Sequence, residues 1–294
     1  MLSHRADVKA VDKDGRTALH DAAKEGHKDA IEQLLSHGAD VRAVDKHGQT
    51  ALHCAAKAGY TNAIHEDVIM SLFRHGADVT ANDNDGRTAL YDAIEELPDV
   101  LGKELSTLPG RALCRVKLLL DLGADVNAQG GYYGNALQAA SWKGHEAVVR
   151  FLLTQGADVN AQGGYYGNAL QAASWKGHEA VVRLLLDQGA DVNAQGGYYG
   201  NALQAASCNR HVAVAQLLLE APKETPRIRP ELAISYPTRV FKSLELRAEG
   251  VIQVLRSLNG SPSIMAGFDI LPSQYSCAQN DRDFFTGINP ENCY

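Results

Sequence analysis

Residues 125–157 read DVNAQGGYYGNALQAASWKGHEAVVRFLLTQGA, and the stretch returns at 158–190 with two changes, Phe151 to Leu184 and Thr154 to Asp187. It starts a third time at Asp191 and runs unaltered to Ser207. A fixed period near 33 residues marks stacked units, each too small to bury its apolar face alone. Inside one unit, Asn135 is placed to cap a first helix through Ala136, Leu137, Ala140 and Trp142, and Gly144 stops it. A second helix carries Val148, Val149, Leu152 and Leu153 on one oily face, and Gly156 closes it in the left-handed conformation. A loop followed by two short helices is therefore the expected repeating element.

Three more divergent units precede these. The first, Asp7 to Ala39, carries Gly15-Arg16-Thr17-Ala18-Leu19-His20-Asp21-Ala22-Ala23, then Gly26-His27, then Ile31, Leu34 and Leu35. This pattern resembles the ankyrin repeat. The resemblance implies an all-α solenoid of about six helix-turn-helix units with loop or β-hairpin fingers, in units 7–39, 40–77, 78–124, 125–157, 158–190 and 191–221. Thr17 would cap the inner helix, and Ala22 and Ala23 would let neighbouring inner helices approach closely. In the near-copies Asn135, Asn168 and Asn201 replace that threonine, and Gln138, Gln171 and Gln204 replace the histidine. Glutamine both donates and accepts, so a bond to a neighbouring loop is expected to survive.

The second unit is longer than the first around Thr61 to Asp67, which predicts a longer outer helix or a bulging turn. The third carries extra residues near Glu95 to Gly110, punctuated by Pro98 and Pro109, with its outer helix resuming at Arg111. That insertion reads as a tolerated surface loop. At the start, residues 2–7 repeat residues 35–40 at all but one place, so residues 1–6 read as the remnant of a preceding repeat, with an upstream part expected. In unit six Arg210 replaces the helix-stopping glycine, and Pro222 ends the array. The tail, 222–294, shows no repeat; one amphipathic helix is expected over 238–258, docked on unit six as a cap, and the rest is expected to be disordered.

Composition narrows the function. Of 28 basic and 35 acidic side chains, residues 1–124 hold 15 and 20, so no segment is basic and a nucleic-acid groove is not expected. No run approaches the roughly 20 apolar residues of a membrane span, and the start has no apolar secretion signal. Five irregularly spaced cysteines, with no C-x-x-C pair, fit free thiols in a reducing, intracellular setting, cytoplasmic or nuclear.

Catalytic and metal motifs fail on inspection. His65-Glu66, His145-Glu146 and His178-Glu179 lack the second histidine of a zinc helix, with Ile69, Val149 and Val182 in its place. Asp83-x-Asp85-Gly86 lacks the first calcium ligand, since Ala81 stands there. Gly130-Gly131-Tyr132-Tyr133-Gly134 has neither the spacing nor the lysine of a phosphate loop. No enzyme, cofactor or metal is expected.

Function then falls to the surface. In the family this chain resembles, partners dock on the fingers and on the exposed face of the inner helices. The matching positions in the second half are Tyr132, Tyr133, Trp142, Lys143, Tyr165, Tyr166, Trp175, Lys176, Tyr198, Tyr199, Cys208 and Asn209. Tyrosine and tryptophan dominate interface hot spots. The same rings also suit packing between fingers, which leaves partner contact and scaffold both open. The expectation is a non-enzymatic scaffold that binds a protein partner along a concave surface, with charge selection by the acidic first half. A second expectation comes from the Gly-Gly-Tyr-Tyr-Gly-Asn-Ala-Leu-Gln-Ala-Ala-Ser run. It resembles repeats of fungal receptor-like proteins in which an NTPase domain precedes the array, which would make this chain a ligand-sensing arm.

Overall fold

The structure, a computed structural model, describes residues 6–58, 64–97 and 108–221. The insertion around 98–107 and the helix expected over 238–258 lie outside the described residues. Twelve helices are present among them, in six inner–outer pairs: α1 (Ala18–Glu25) and α2 (Lys28–Ser36), α3 (Ala51–Lys57) and α4 (Ile64–Arg74), α5 (Ala89–Glu95) and α6 (Leu108–Asp121), α7 (Ala136–Lys143) and α8 (Glu146–Thr154), α9 (Ala169–Lys176) and α10 (Glu179–Asp187), α11 (Ala202–Cys208) and α12 (Val212–Glu220). There is no β-strand among the described residues. Fingers are closed instead by single antiparallel bridges, Val11 to Thr17 and Val44 to Thr50 in the first units, Gly130 to Gly134, Gly163 to Gly167 and Gly196 to Gly200 in the last.

Inner helices of seven or eight residues are too short to persist alone in water. Their alanines explain how they persist here. Ala23, Ala55, Ala56, Ala139, Ala140, Ala172, Ala173, Ala205 and Ala206 are fully buried, so the inner helices stack with almost no side chain between them. Outer helices supply the bulk: Val149, Leu152, Val182 and Leu185 are fully buried, and each sits one turn from its partner on the same face. One continuous core results, running through every unit.

Helix ends follow the local chemistry. Asn135, Asn168 and Asn201 each accept the backbone N–H three residues on, at 2.9, 2.8 and 2.8 Å. Thr17 and Thr50 use a variant in which a histidine closes the box. Nδ1 of His20 accepts the Thr17 N–H at 3.1 Å, and Nδ1 of His53 accepts that of Thr50 at 3.2 Å. Gly144 and Gly177 end their helices at φ 79 and 76. Arg210 takes the same turn at φ 57, the one non-glycine residue with positive φ among the described residues. Two expectations about the longer units are resolved. α4 has 11 residues where α2 has 9, so part of the extra length is helix. α6 starts at Leu108, not Arg111; Pro109 sits in its first turn, where a missing N–H breaks no helical bond.

Candidate functional site

Each unit grips the next through one polar side chain at the same position. Nε2 of His20 donates to the Gln49 carbonyl at 3.0 Å, and Nε2 of His53 to that of Arg87 at 3.0 Å. The Nδ1 contacts already described fix that tautomer. In unit three the position is Tyr91, whose hydroxyl accepts the Tyr133 N–H at 3.0 Å. Gln138 and Gln171 then reach the Gly167 and Gly200 carbonyls at 3.2 and 3.0 Å. Glutamine does take over the histidine's bond.

A second grip runs backwards from the outer helices to the end of the preceding inner helix. Nε2 of His178 donates to the Trp142 carbonyl and Nε2 of His211 to that of Trp175, each at 2.9 Å. Burial holds His211 below the ordinary histidine value, which favours the neutral ring that this bond uses. His65 does the same to Lys24 at 3.3 Å. Where unit three lacks such a histidine, Arg115 reaches the Ala56 and Ala58 carbonyls at 2.8 and 2.7 Å. These histidines are structural donors. Among the described residues no group of three or more His, Cys, Asp or Glu side chains is arranged to hold a metal, and no helix is long and apolar enough to cross a membrane.

The finger tips carry the aromatic residues. Tyr132, Tyr165 and Tyr198 stack on one another, with ring centroids 5.0 and 4.9 Å apart and planes within 17°. Backbone bonds tie the same tips together: Tyr165 N–H donates to the Tyr132 carbonyl at 2.9 Å, and Tyr198 N–H to that of Tyr165 at 2.8 Å. The glycines make this approach possible. A Cβ on Gly164 would collide with the Tyr133 carbonyl, and one on Gly197 with that of Tyr166. Tyr132 and Tyr198 remain 47% and 53% exposed.

The second tyrosine of each pair points inward. Tyr133, Tyr166 and Tyr199 are 8%, 4% and 8% exposed and form their own column at 6.2 and 6.0 Å. The six tip tyrosines thus divide into an exposed column and a buried one. The bridges at Gly130–Gly134, Gly163–Gly167 and Gly196–Gly200 leave a three-residue turn, and its last residue turns under the finger. Burial pushes the Tyr166 phenol up to about 12, so it remains protonated. Beneath this column, Trp142 lies 4.9 Å from Tyr133, and Trp175 lies 4.0 Å from Tyr199 in a stacked pair. Both tryptophans are half-buried. Nζ of Lys176 stands 3.9 Å from the centre of the Trp142 ring, and Nζ of Lys143 stands 5.3 Å from it. The structure therefore joins eight of the expected site residues (the six tip tyrosines and both tryptophans) in one aromatic network, with Lys143 and Lys176 at its edge. Cys208 is half-buried at the end of α11, and Asn209 is exposed beside it, its amide donating to the Trp175 carbonyl at 2.7 Å.

Unit three adds a site that sequence reasoning missed. Arg87 meets four carboxylates, Asp83 at 2.9 Å, Asp85 at 3.1 Å, Glu95 at 3.5 Å and Asp92 at 3.9 Å. Lys57 adds one cation, 3.5 Å from Asp92. Asp92 is fully buried and neither of its oxygens accepts a hydrogen bond. Its removal from water pushes its pKa up to about 7, against the pull of Lys57 and Arg87. Glu95 is raised for the same reason, burial first. Cys54, in the same register as Asp92, has its thiol pushed up to about 11 by burial, which makes it a poor nucleophile.

Comparison with known proteins agrees with this architecture. Two family models of ankyrin repeats match, one over residues 1–83 and 166–228, the other over 113–153 and 137–186. The crystal structure of the human ASB11 ankyrin repeat domain superposes with a TM-score of 0.57 at 25% sequence identity, covering 79% of this chain and 98% of that one. No curated protein matches the chain. With its paired helices, alanine-lined inner stack and bridged fingers, this chain belongs to the ankyrin-repeat family.

Proposed function

We propose that the array is a non-enzymatic scaffold that docks a protein partner on its concave surface, formed by the finger tips and the inner helices. One observation supports this most: the exposed tyrosine column of Tyr132, Tyr165 and Tyr198 lies beside half-buried Trp142 and Trp175, with Lys143 and Lys176 at the edge. Stacking and glycine-backed tips fix these rings before any partner arrives, so docking costs little side-chain freedom. Tyr133, Tyr166 and Tyr199 would act from below, holding the presented rings in place. Ankyrin repeats serve in general as protein-interaction modules, which agrees with this reading.

The test uses the full chain with Tyr132, Tyr165 and Tyr198 changed to Ser, beside a control with Arg150 and Arg183 changed to Ser on the outer helices. Circular dichroism checks that both fold. Loss of a captured partner by the tip variant and its retention by the control is the expected result. Equal capture by both would rule out the tips as the docking surface.

A further inference from the structure

Units four to six begin as copies of one another, so the places where they differ are informative. Trp142 and Trp175 stand at one register position on α7 and α9, and Lys143 and Lys176 follow them. Between units four and five the molecule completes a contact of its own. Nζ of Lys176 lies 3.9 Å from the centre of the Trp142 ring, over the indole one unit back. One step further the series breaks. Cys208 stands where a third tryptophan would, and Asn209 where a third lysine would. Asn209 has a different task, since its amide donates to the Trp175 carbonyl at 2.7 Å. Among the described residues, no cation lies over the Trp175 ring as Lys176 lies over that of Trp142.

The two rings also stand differently. Trp142 is tilted by 39° from Tyr133 of its own finger, at 4.9 Å, and lies 6.5 Å from Tyr166 of the next. Trp175 stacks instead on Tyr199 of the next finger, at 4.0 Å and 20°. Tyr199 therefore backs one face of this indole and leaves the opposite face for a second flat group. Trp175 is half-buried, and the thiol of Cys208 is smaller than the indole it replaces, so the row has room beside it.

Resting on the concave-surface reading, we propose that the Trp175 ring receives an arginine side chain of the docked partner, in the place that Lys176 takes on Trp142. Tryptophan is the strongest of the rings in holding a cation. Arginine suits it best, because a guanidinium is planar, stacks on an aromatic face and is more weakly hydrated than an ammonium. Backing by Tyr199 sets the ring before the partner arrives. Two ammonium groups already share the Trp142 ring, at 3.9 and 5.3 Å, so this row tolerates positive charge beside its indoles. The net charge of −7 on the whole chain favours the approach of a basic segment.

The experiment follows the two indole N–H resonances of the 15N-labelled full chain, assigned with Trp175→Phe. Acetyl-Gly-Arg-Gly-amide, its lysine counterpart or its glutamine counterpart is added in turn. The arginine peptide should move the Trp175 resonance saturably and bind about fivefold tighter than the glutamine peptide, with the lysine peptide between them. The Trp142 resonance should stay in place. Asn209→Lys installs the residue that the two preceding units carry, so the fold accepts it. It should fill the place from within and weaken the arginine peptide about fivefold. Lys176→Asn should open the Trp142 ring, whose resonance then moves as well, a gain that a misfolded variant does not produce. Equal affinity for the arginine and glutamine peptides within about twofold, or unchanged arginine binding by Asn209→Lys, would overturn the proposal. A lysine peptide that binds as tightly as the arginine one would overturn the choice of arginine. None of these results touches the docking reading itself, whose own test alters Tyr132, Tyr165 and Tyr198.

Discussion

Asp92→Asn tests the buried charge of unit three through the pH dependence of stability. Burial raises this carboxyl from 3.8 to about 7 in the folded chain. The folded state therefore holds its proton where the unfolded state has lost it, so stability falls as pH rises through that window. Below about pH 4 both states are protonated and the residue is neutral in effect. Each unit of pKa shift is worth about 1.4 kcal/mol, so Asp92 opposes folding by up to about 4 kcal/mol above pH 7. Between pH 4.5 and 7.5 the linkage amounts to about 3 kcal/mol. Asparagine keeps the shape and removes the titration. Other groups slope differently: Asp78 and Asp83 are held below the usual carboxylate range, so their contribution is lost only on acidification. His53 and His211, lowered by burial, oppose folding as pH falls below the ordinary histidine value. Asp78, His53 and His211 are common to both proteins and cancel in the difference; Asp83, which shares Arg87 with Asp92, shifts only the acid end of the comparison. Urea denaturation of each protein across this pH range, followed by circular dichroism, gives the two curves. The variant's advantage should grow by about 3 kcal/mol from pH 4.5 to 7.5. Parallel curves would show that Asp92 ionises normally and that its burial carries no electrostatic cost.

Three further substitutions probe the stack. Gly164→Ala sets a methyl group against the Tyr133 backbone at φ 61 and should destabilise the array by about 2 kcal/mol or more in urea melts, whereas Gly156→Ala, with nothing near its Cβ, bears only the backbone strain at φ 86. Arg210→Gly relieves the left-handed turn at φ 57 and should raise stability by about 0.5–1 kcal/mol, read from the same melts. Gln171→Ala strands the Ala194 carbonyl, now bonded at 3.2 Å, and takes the 3.0 Å bond from the Gly200 carbonyl, which keeps the Gly196 N–H; it should lower stability by about 1–3 kcal/mol. Hydrogen exchange in the sixth finger should rise with it.

The features legible in the sequence are those decided inside one unit. Asn135 caps because its carboxamide oxygen and the Gln138 N–H are three residues apart, a relation that a linear sequence shows directly. Gly144 stops a helix for an equally local reason, and the glutamine-for-histidine exchange was readable because both side chains occupy one register position. What was not legible depends on neighbours from other units. Asp21 and Asp92 share a register position, yet Asp21 is exposed and Asp92 is buried beneath Arg87 and Lys57. The inward turn of Tyr133 follows from a bridge between two glycines, not from any property of tyrosine. Arg115 took over a histidine's task from a different place on its helix, and nothing in its immediate sequence signals that. One missed pair did leave a trace. Asn127 and Asn160 each accept the N–H of the next unit's first aspartate at 2.8 Å and donate to a glycine carbonyl at 3.1 Å. The Asp-Val-Asn opening of each near-copy carried that signal.

The tied finger tips also govern curvature. Tyr132, Tyr165 and Tyr198 stand about 5 Å apart, the separation of neighbouring strands. Helices cannot come nearer than about 8 Å, even with only alanine between them. The same number of steps therefore spans a shorter path at the tips than at the helices, and such a stack bends into an arc with the fingers on the inside. Every added copy of the segment contributes the same angle. Duplication of this segment consequently does more than lengthen the array: the number of copies sets how far the arc wraps, while the fixed angle per copy sets the radius that a bound molecule must match.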